Sequence, residues 1–169
     1  RGQIAQARTT LSRVLQADPQ HVAALRLLGE IHTAAGELTD AISCLEQAAA
    51  IKSHDVETRY ALATALQKSG NHDAARKHFA FVAQCNESNQ RVEVLIGRVR
   101  AKNEDVASRL EIAELLRRTG ESRDRLLWLR SVIELDPGHK AAHAELAKCF
   151  AELGNVEESA RHSRLADGD

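Results

Sequence analysis

Residues 24–45, ALRLLGEIHTAAGELTDAISCL, decide the fold. Leu25, Leu28, Ile31 and His32 recur at the three- and four-residue spacing that places side chains on one face of a helix. Gly36 then ends that helix, because its backbone can turn left-handed with no Cβ in the way. The same spacing resumes with Ala41, Leu45 and Ala48, behind Thr39 or Asp40, either of which can cap a helix start. The reading is two short amphipathic helices hinged on a glycine.

Outward from this stretch the unit repeats. Gly36, Gly70, Gly120 and Gly154 stand in matching contexts, separated by 34, 50 and 34 residues. Asp18-Pro19 and Asp136-Pro137 are 118 residues apart, which is three periods of 34 with 16 left over. Two unrelated markers thus report one period and one irregular stretch. Each Asp-Pro pair reads as a capping carboxylate before a proline at the first helical position, and Asn155 with Glu158 as a capping box. Val92, Leu95, Ile96 and Val99 form a further helical run behind Ser88 or Asn89 as a start signal. It reads as the beginning of a first helix whose partner is lost.

The pattern resembles the tetratricopeptide repeat, Trp-x-x-Leu-Gly-x-x-Tyr, then Ala-x-x-x-Phe, then Pro. One unit offers Leu25, Leu28-Gly29, His32, then Ala41 and Leu45. The next has Arg59, Leu62-Ala63, Leu66, Ala75 and Phe79. After the irregularity come Arg109, Ile112-Ala113, Leu116, Arg125, Leu129 and Pro137. The last unit has His143, Leu146-Ala147, Phe150, Ser159 and Ser163. The first consensus position never carries its tryptophan, so the period speaks more strongly than any unit. The resemblance implies an all-α, right-handed α-α superhelix of about ten helices, with an irregular unpaired helix near the middle. Its expected boundaries are a half repeat at 1–19, repeats at 20–53 and 54–87, the irregular helix or joint at 88–105, and repeats at 106–139 and 140–169. The joint is expected to bend or loosen the stack. A single pair cannot bury enough apolar surface to offset its ordering entropy, so each unit must lean on its neighbours. Phe79 is expected between helices, where Phe79→Ala would cost roughly 3–5 kcal/mol.

Composition agrees. Of 169 residues 43% are hydrophobic, too many for a disordered chain, yet only 3% are aromatic and none is methionine, so the interior must be aliphatic and alanine-rich. The net charge of −1 gives no long-range pull toward nucleic acid or an anionic membrane. The stretch 91–130 is locally basic, ten cationic residues against seven acidic, and reads either as solvated helix faces or as a stripe that steers an acidic partner. Cys44, Cys85 and Cys149 are odd in number and widely spaced, with no disulfide framework or metal knuckle. They favour a reducing compartment such as the cytoplasm, leaving a periplasmic or extracellular one open. No stretch has the length of a membrane span. Arginine outnumbers lysine and alanine is abundant, a composition met in GC-rich bacterial genomes. The chain starts at Arg1 and reads as the C-terminal part of a longer repeat protein, with a polar cap at its last helix.

Chemistry finds little footing. His139 and His143 are four apart, so both could face one ion, but no third ligand follows. His72 and His78 share no helix face. Cys149 has no nearby base to activate it, and no phosphate loop or Ser/His/Asp order occurs. No enzyme activity, cofactor or metal is expected.

The family's first helices line a concave groove that holds peptides or partner helices. By that resemblance the lining is Arg26, Glu30 and Thr33, then Tyr60, Thr64, Gln67 and Lys68, then Leu110, Glu114, Arg117 and Arg118, and finally Ala144 and Lys148. Arg117 and Arg118 suit a partner's carboxylate and Tyr60 suits an anchor. The lysine and asparagine clamp of chaperone-tail binders is missing. The expected partner is therefore a protein or peptide, acidic if the basic stripe steers it. Self-association is the alternative, through helix 2–17, whose Ile4, Ala7, Leu11, Val14 and Leu15 lack a first helix to cover them. A third reading makes the chain the structural tail of a larger enzyme or cofactor protein.

Overall fold

Gly36, Gly70, Gly120 and Gly154 all turn left-handed, with φ of 80°, 86°, 78° and 77°, in the computed structural model, which describes residues 2–168. Each sits between two helices, as the spacing predicts. The described residues form nine helices and no strand: α1 Gly2–Ala17, α2 Val22–Ala35, α3 Leu38–Ile51, α4 Val56–Lys68, α5 His72–Ala101, α6 Val106–Thr119, α7 Ser122–Leu135, α8 Lys140–Glu152 and α9 Val156–Asp167. No helix among them is long and apolar enough to cross a membrane.

The chain divides into two compact units, Arg1–Gln84 and Cys85–Asp169. In the first, Ala41, Leu45 and Ala49 of α3 meet Ala61, Leu62, Ala65 and Leu66 of α4 and Ala75 of α5. The alanines let the helices approach closely, and Gly29 shows how closely. A Cβ built there would lie 2.5 Å from Leu45 Cγ. Phe79 packs against this core, half-buried, so it is the interhelical contact the repeat implies. In the second unit Leu95 and Val99 of α5 pack on Ile112, Leu115 and Leu116 of α6. A further cluster joins Ala113, Leu129, Leu146, Cys149 and Phe150 across α6, α7 and α8. Cys85 and Cys149 are buried and Cys44 half-buried.

Three expectations are corrected. First, no helix starts at Ser88 or Asn89, because residues 88–101 are the second half of the 30-residue α5. Lys102–Asp105 then turns into α6 as Lys52–Asp55 turns into α4, with Asp55 and Asp105 each accepting from the backbone N–H three residues on. Leu95 (0% exposed) and Val99 (7%) stand where Leu45 (0%) and Ala49 (8%) stand in α3. Residues 88–101 are thus a second helix of a pair, fused end to end with the preceding second helix. What the chain lacks there is a first helix. The fusion of these two helices into α5 is why the count is nine rather than ten.

Second, the Asp-Pro pairs do not cap helices. Asp18 accepts from the backbone N–H of Gln20 and Asp136 from that of Gly138, both inside the turn. The caps come two residues after the prolines, where His21 and His139 accept through Nδ1 from the N–H of Ala24 and Ala142. Third, α3 starts at Leu38 behind Glu37, which makes no side-chain cap bond, so neither Thr39 nor Asp40 is the cap. Asn155 forms half of its capping box, accepting from the N–H of Glu158.

Candidate functional site

In the first unit α2 and α4 lie side by side and leave a hollow of about 240 Å³ between them, lined by Glu30, Thr33, Ala34, Tyr60, Ala61, Thr64 and Lys68. Five of the expected groove residues meet here. Helical spacing puts them there: residues 30, 33 and 34 on one helix and 60, 61, 64 and 68 on the other are neighbours three, four and eight apart. Alanines 34 and 61 keep the floor low. Tyr60, 57% exposed, stands edge-on against Phe79 at 5.7 Å between ring centroids, so the ring is held while more than half of the residue stays open. Thr33 and Thr64 donate to the carbonyls of Gly29 and Tyr60 one turn back. Their oxygens remain able to accept.

The hollow's charges are unequal in availability. Arg26 Nη1 holds Glu30 at 2.8 Å while its Nη2 holds Glu57 at 2.8 Å. Arg26 is therefore engaged with two carboxylates and is not among the residues lining this hollow. Lys68 has no ion-pair partner among the described residues and leaves a cation at one end of the hollow. Gln67 is exposed on α4 but is not part of the lining.

In the second unit the expected residues do not converge. Glu114 takes both Nε and Nη2 of Arg117 at 2.8 Å and Nε of Arg118 at 3.3 Å. These guanidiniums hold its carboxyl down to about 2, Arg117 foremost. The two arginines expected to receive a partner's carboxylate already share one. Leu110 packs beside the α6–α8 core. Ala144 and Lys148 line a separate hollow of about 400 Å³ between α8 and α9. Half of the ten cations in the basic stretch are hydrogen-bonded within the described residues, Arg117 and Arg118 among them. Arg91 pairs with Glu111, Arg109 bonds Ser131 and Asn103 beside Trp128, and Arg125, 1% exposed, is gripped by Glu145 and Glu152.

Two arrangements escaped sequence reasoning. His143 and His162, 19 residues apart, meet through their Nδ1 atoms at 2.8 Å. His143 is therefore engaged with α9 and not with His139. Their meeting follows from the antiparallel pairing of α8 and α9, but no pattern names His162 as the partner. His32, Glu37 and Asp40 bring one donor atom each within 4.8 Å of one another. Arg8 already clasps both oxygens of Glu37, and His32 Nδ1 shares one of them. That carboxylate's charge is thus answered without a metal.

Helix pairs of one period with glycine hinges and alanine seams are matched by two family models, both described as tetratricopeptide repeat, over residues 1–56 and 33–98. Together these cover more than half of the chain. The chain belongs to the tetratricopeptide-repeat family. No curated protein matches it. Among solved structures, this tetratricopeptide-repeat chain is similar to MamA, with 19% identity over 98% of this chain and 87% of that one and a TM-score of 0.43. A structure described as MamA MSR-1 shows 18% identity over 98% and 86% and a TM-score of 0.46. It is also similar to YrrB, described as a TPR protein with an unusual peptide-binding site, with 16% identity over 92% and 90% and a TM-score of 0.45. At under 25% identity and scores below 0.5, the geometry of the site comes from this chain alone.

Proposed function

We propose that the chain is a non-catalytic scaffold that holds a short segment of a partner protein in the hollow between α2 and α4. The observation that carries this reading is the convergence of Tyr60, Thr33, Thr64 and the unpaired Lys68 around an alanine floor. An apolar floor with a few convergent polar groups is the usual make-up of a recognition site. The hollow admits one small apolar side chain, with Tyr60 as a rigid wall and Lys68 placed for a carboxylate. An acidic partner segment fits the Lys68 end best, since Glu30, which shares Arg26 with Glu57, keeps part of its negative charge.

Selection of peptides from a random displayed library against the full chain tests this. Enriched peptides should carry an Asp, a Glu or a free C-terminus beside a small apolar residue. Lys68→Glu and Ala61→Arg should each weaken the selected peptides at least tenfold, and Leu127→Ala, at an exposed position of α7, should not. Equal binding by Ala61→Arg would remove the hollow from consideration.

Self-association has one observation in its favour. A hollow of about 500 Å³ between α1 and α2 is lined by Ala7, Leu11, Leu27 and Ile31 with Thr10, Glu30 and Ala34, and Ile4 and Leu27 are 54% and 41% exposed nearby. An apolar face of this kind suits a second helix. Sedimentation across a concentration series decides: a second subunit on this face makes the mass rise with concentration, and Leu27→Asp returns it to the monomer.

A further inference from the structure

The histidine pair between α8 and α9 has a property its sequence position does not show. His143 is 4% and His162 7% exposed. Nε2 of His143 lies 2.9 Å from the carbonyl oxygen of Pro137. A carbonyl only accepts, so that nitrogen carries the hydrogen. In neutral His143 the Nδ1 is then bare and accepts from Nδ1–H of His162 across 2.8 Å. The tautomers are fixed from one end of the chain of bonds to the other.

We propose that this pair is a proton-operated latch that holds α9 on α8, closed near neutral pH and released as the pH falls toward 5. The Nδ1–H···Nδ1 bond survives with one shared hydrogen and fails when each Nδ1 carries its own. Protons arrive in two steps. The first goes to Nε2 of His162, the only bare ring nitrogen left, 3.7 Å from Glu158. The second must go to Nδ1 of His143, setting two N–H groups head to head inside the protein with no other acceptor at that atom.

The charged surroundings are mixed. A hollow of about 450 Å³ beside the pair is lined by Arg130 and Glu134 of α7 and by Glu158 and Arg161 of α9. Glu158 eases the first proton, and Arg130 and Arg161 oppose it. Burial, then the neighbouring His143, holds His162 below the usual histidine range. A group depressed in the folded state stabilises it above the unfolded value and loses that contribution as pH falls through the folded one. The rings also anchor packing, for His162 stacks on Phe150 at 5.4 Å and 8° between planes, so opening the latch loosens the contact of α9 with the core.

Amide exchange on the full chain, corrected for the intrinsic pH dependence, reads this directly between pH 7.5 and 5, a window above the carboxylates. The protection of α9 should fall about tenfold or more relative to α2 and α3, since each proton taken up contributes at most tenfold per pH unit. His162→Gln places an amide there that can turn its N–H or its oxygen toward Nδ1 of His143, and so pairs with that ring in either protonation state; its α9 should hold its protection at pH 5. Ring nitrogen shifts of the wild-type chain supply a second readout, with one hydrogen held between the two Nδ1 atoms at pH 7.5 and that bond absent at pH 5. Full protection of α9 at pH 5, an equal loss in α2 and α3, or the same loss in His162→Gln would each overturn the latch.

Discussion

At the scale of single residues, glycines separate what the period requires from what packing requires. Gly29 and Gly97 both lie inside helices, where glycine costs roughly 0.5–1 kcal/mol against alanine. A Cβ at Gly97 meets nothing within 4 Å, whereas one at Gly29 runs into Leu45, whose side chain is fully buried. Gly97→Ala should therefore raise stability by about 0.5–1 kcal/mol, and Gly29→Ala should lower it by about 1–3 kcal/mol through overpacking, both read by urea denaturation. Phe79→Ala is a milder loss than full burial would give, because the ring is half-exposed; about 1.5–3 kcal/mol is expected. Charge sets a third case. Glu114, held down to about 2 by Arg117 and Arg118, stabilises the fold above its unfolded value and loses that contribution between about 4.5 and 2. The site is about 40% exposed, so screening keeps the effect below about 1 kcal/mol. Glu114→Gln should flatten that part of the acid-unfolding curve. None of these partners was legible in sequence. The i,i+3 and i,i+4 neighbours of Glu114 could be enumerated, but which cation closes on it depends on rotamers that no spacing states.

At the scale of elements, the sequence showed where helices stop better than where they start. The four left-handed glycines that mark the period are stops with one physical cause, and all four fall between helices as expected. Starts are less certain because several residues nearby can cap. Asp18 and Asp136 have the right chemistry, but their turn spends them on Gln20 and Gly138, and the imidazoles of His21 and His139 take the caps. Ser88 and Asn89 carried the same ambiguity. Either can cap a helix, yet each sits within α5, where the backbone ladder already satisfies their N–H groups. Asn89→Pro distinguishes the two readings. A helix beginning at Ser88 would put residue 89 at the first helical position, where proline is welcome. Inside a continuous helix it removes a hydrogen bond and clashes with the previous turn, costing about 3 kcal/mol or more. The expected outcome is that larger loss, with a drop in the far-ultraviolet helical signal; a neutral substitution would restore the break at residue 88.

At the scale of the whole molecule, the spacings of 34, 50 and 34 residues between glycines follow from one event in the chain's architecture. A complete unit between Gly70 and Gly120 would make that spacing twice 34. The shortfall is one turn and one first helix, which is what α5 lacks between its two halves. The period was therefore enough to read the fold and to place the irregularity, but not to say which helix of the pair was missing, because residues 92–99 have an apolar face that suits either. The hollow between α2 and α4 was legible in part for the same reason: positions on first helices can be counted from the period, while their pairing with Glu57, Glu114 or Glu145 cannot. A fused pair of second helices makes a strong demand on the chain. Inserting a second copy of residues 53–70 between Asn86 and Glu87 supplies the absent turn and first helix in register, with Gly70 of the copy preceding Glu87 as Gly36 precedes Glu37. An insertion in the middle of a long helix is ordinarily ruinous. Here it should yield a cooperatively folded protein whose thermal midpoint is no lower than that of the parent and whose helical signal rises by one helix, because each added pair brings its own nearest-neighbour contacts. A shuffled version of the same insert, equal in length and composition, should unfold or aggregate. If both inserts behave alike by circular dichroism and thermal denaturation, α5 is an ordinary long helix and the fused-pair origin of its two halves is wrong.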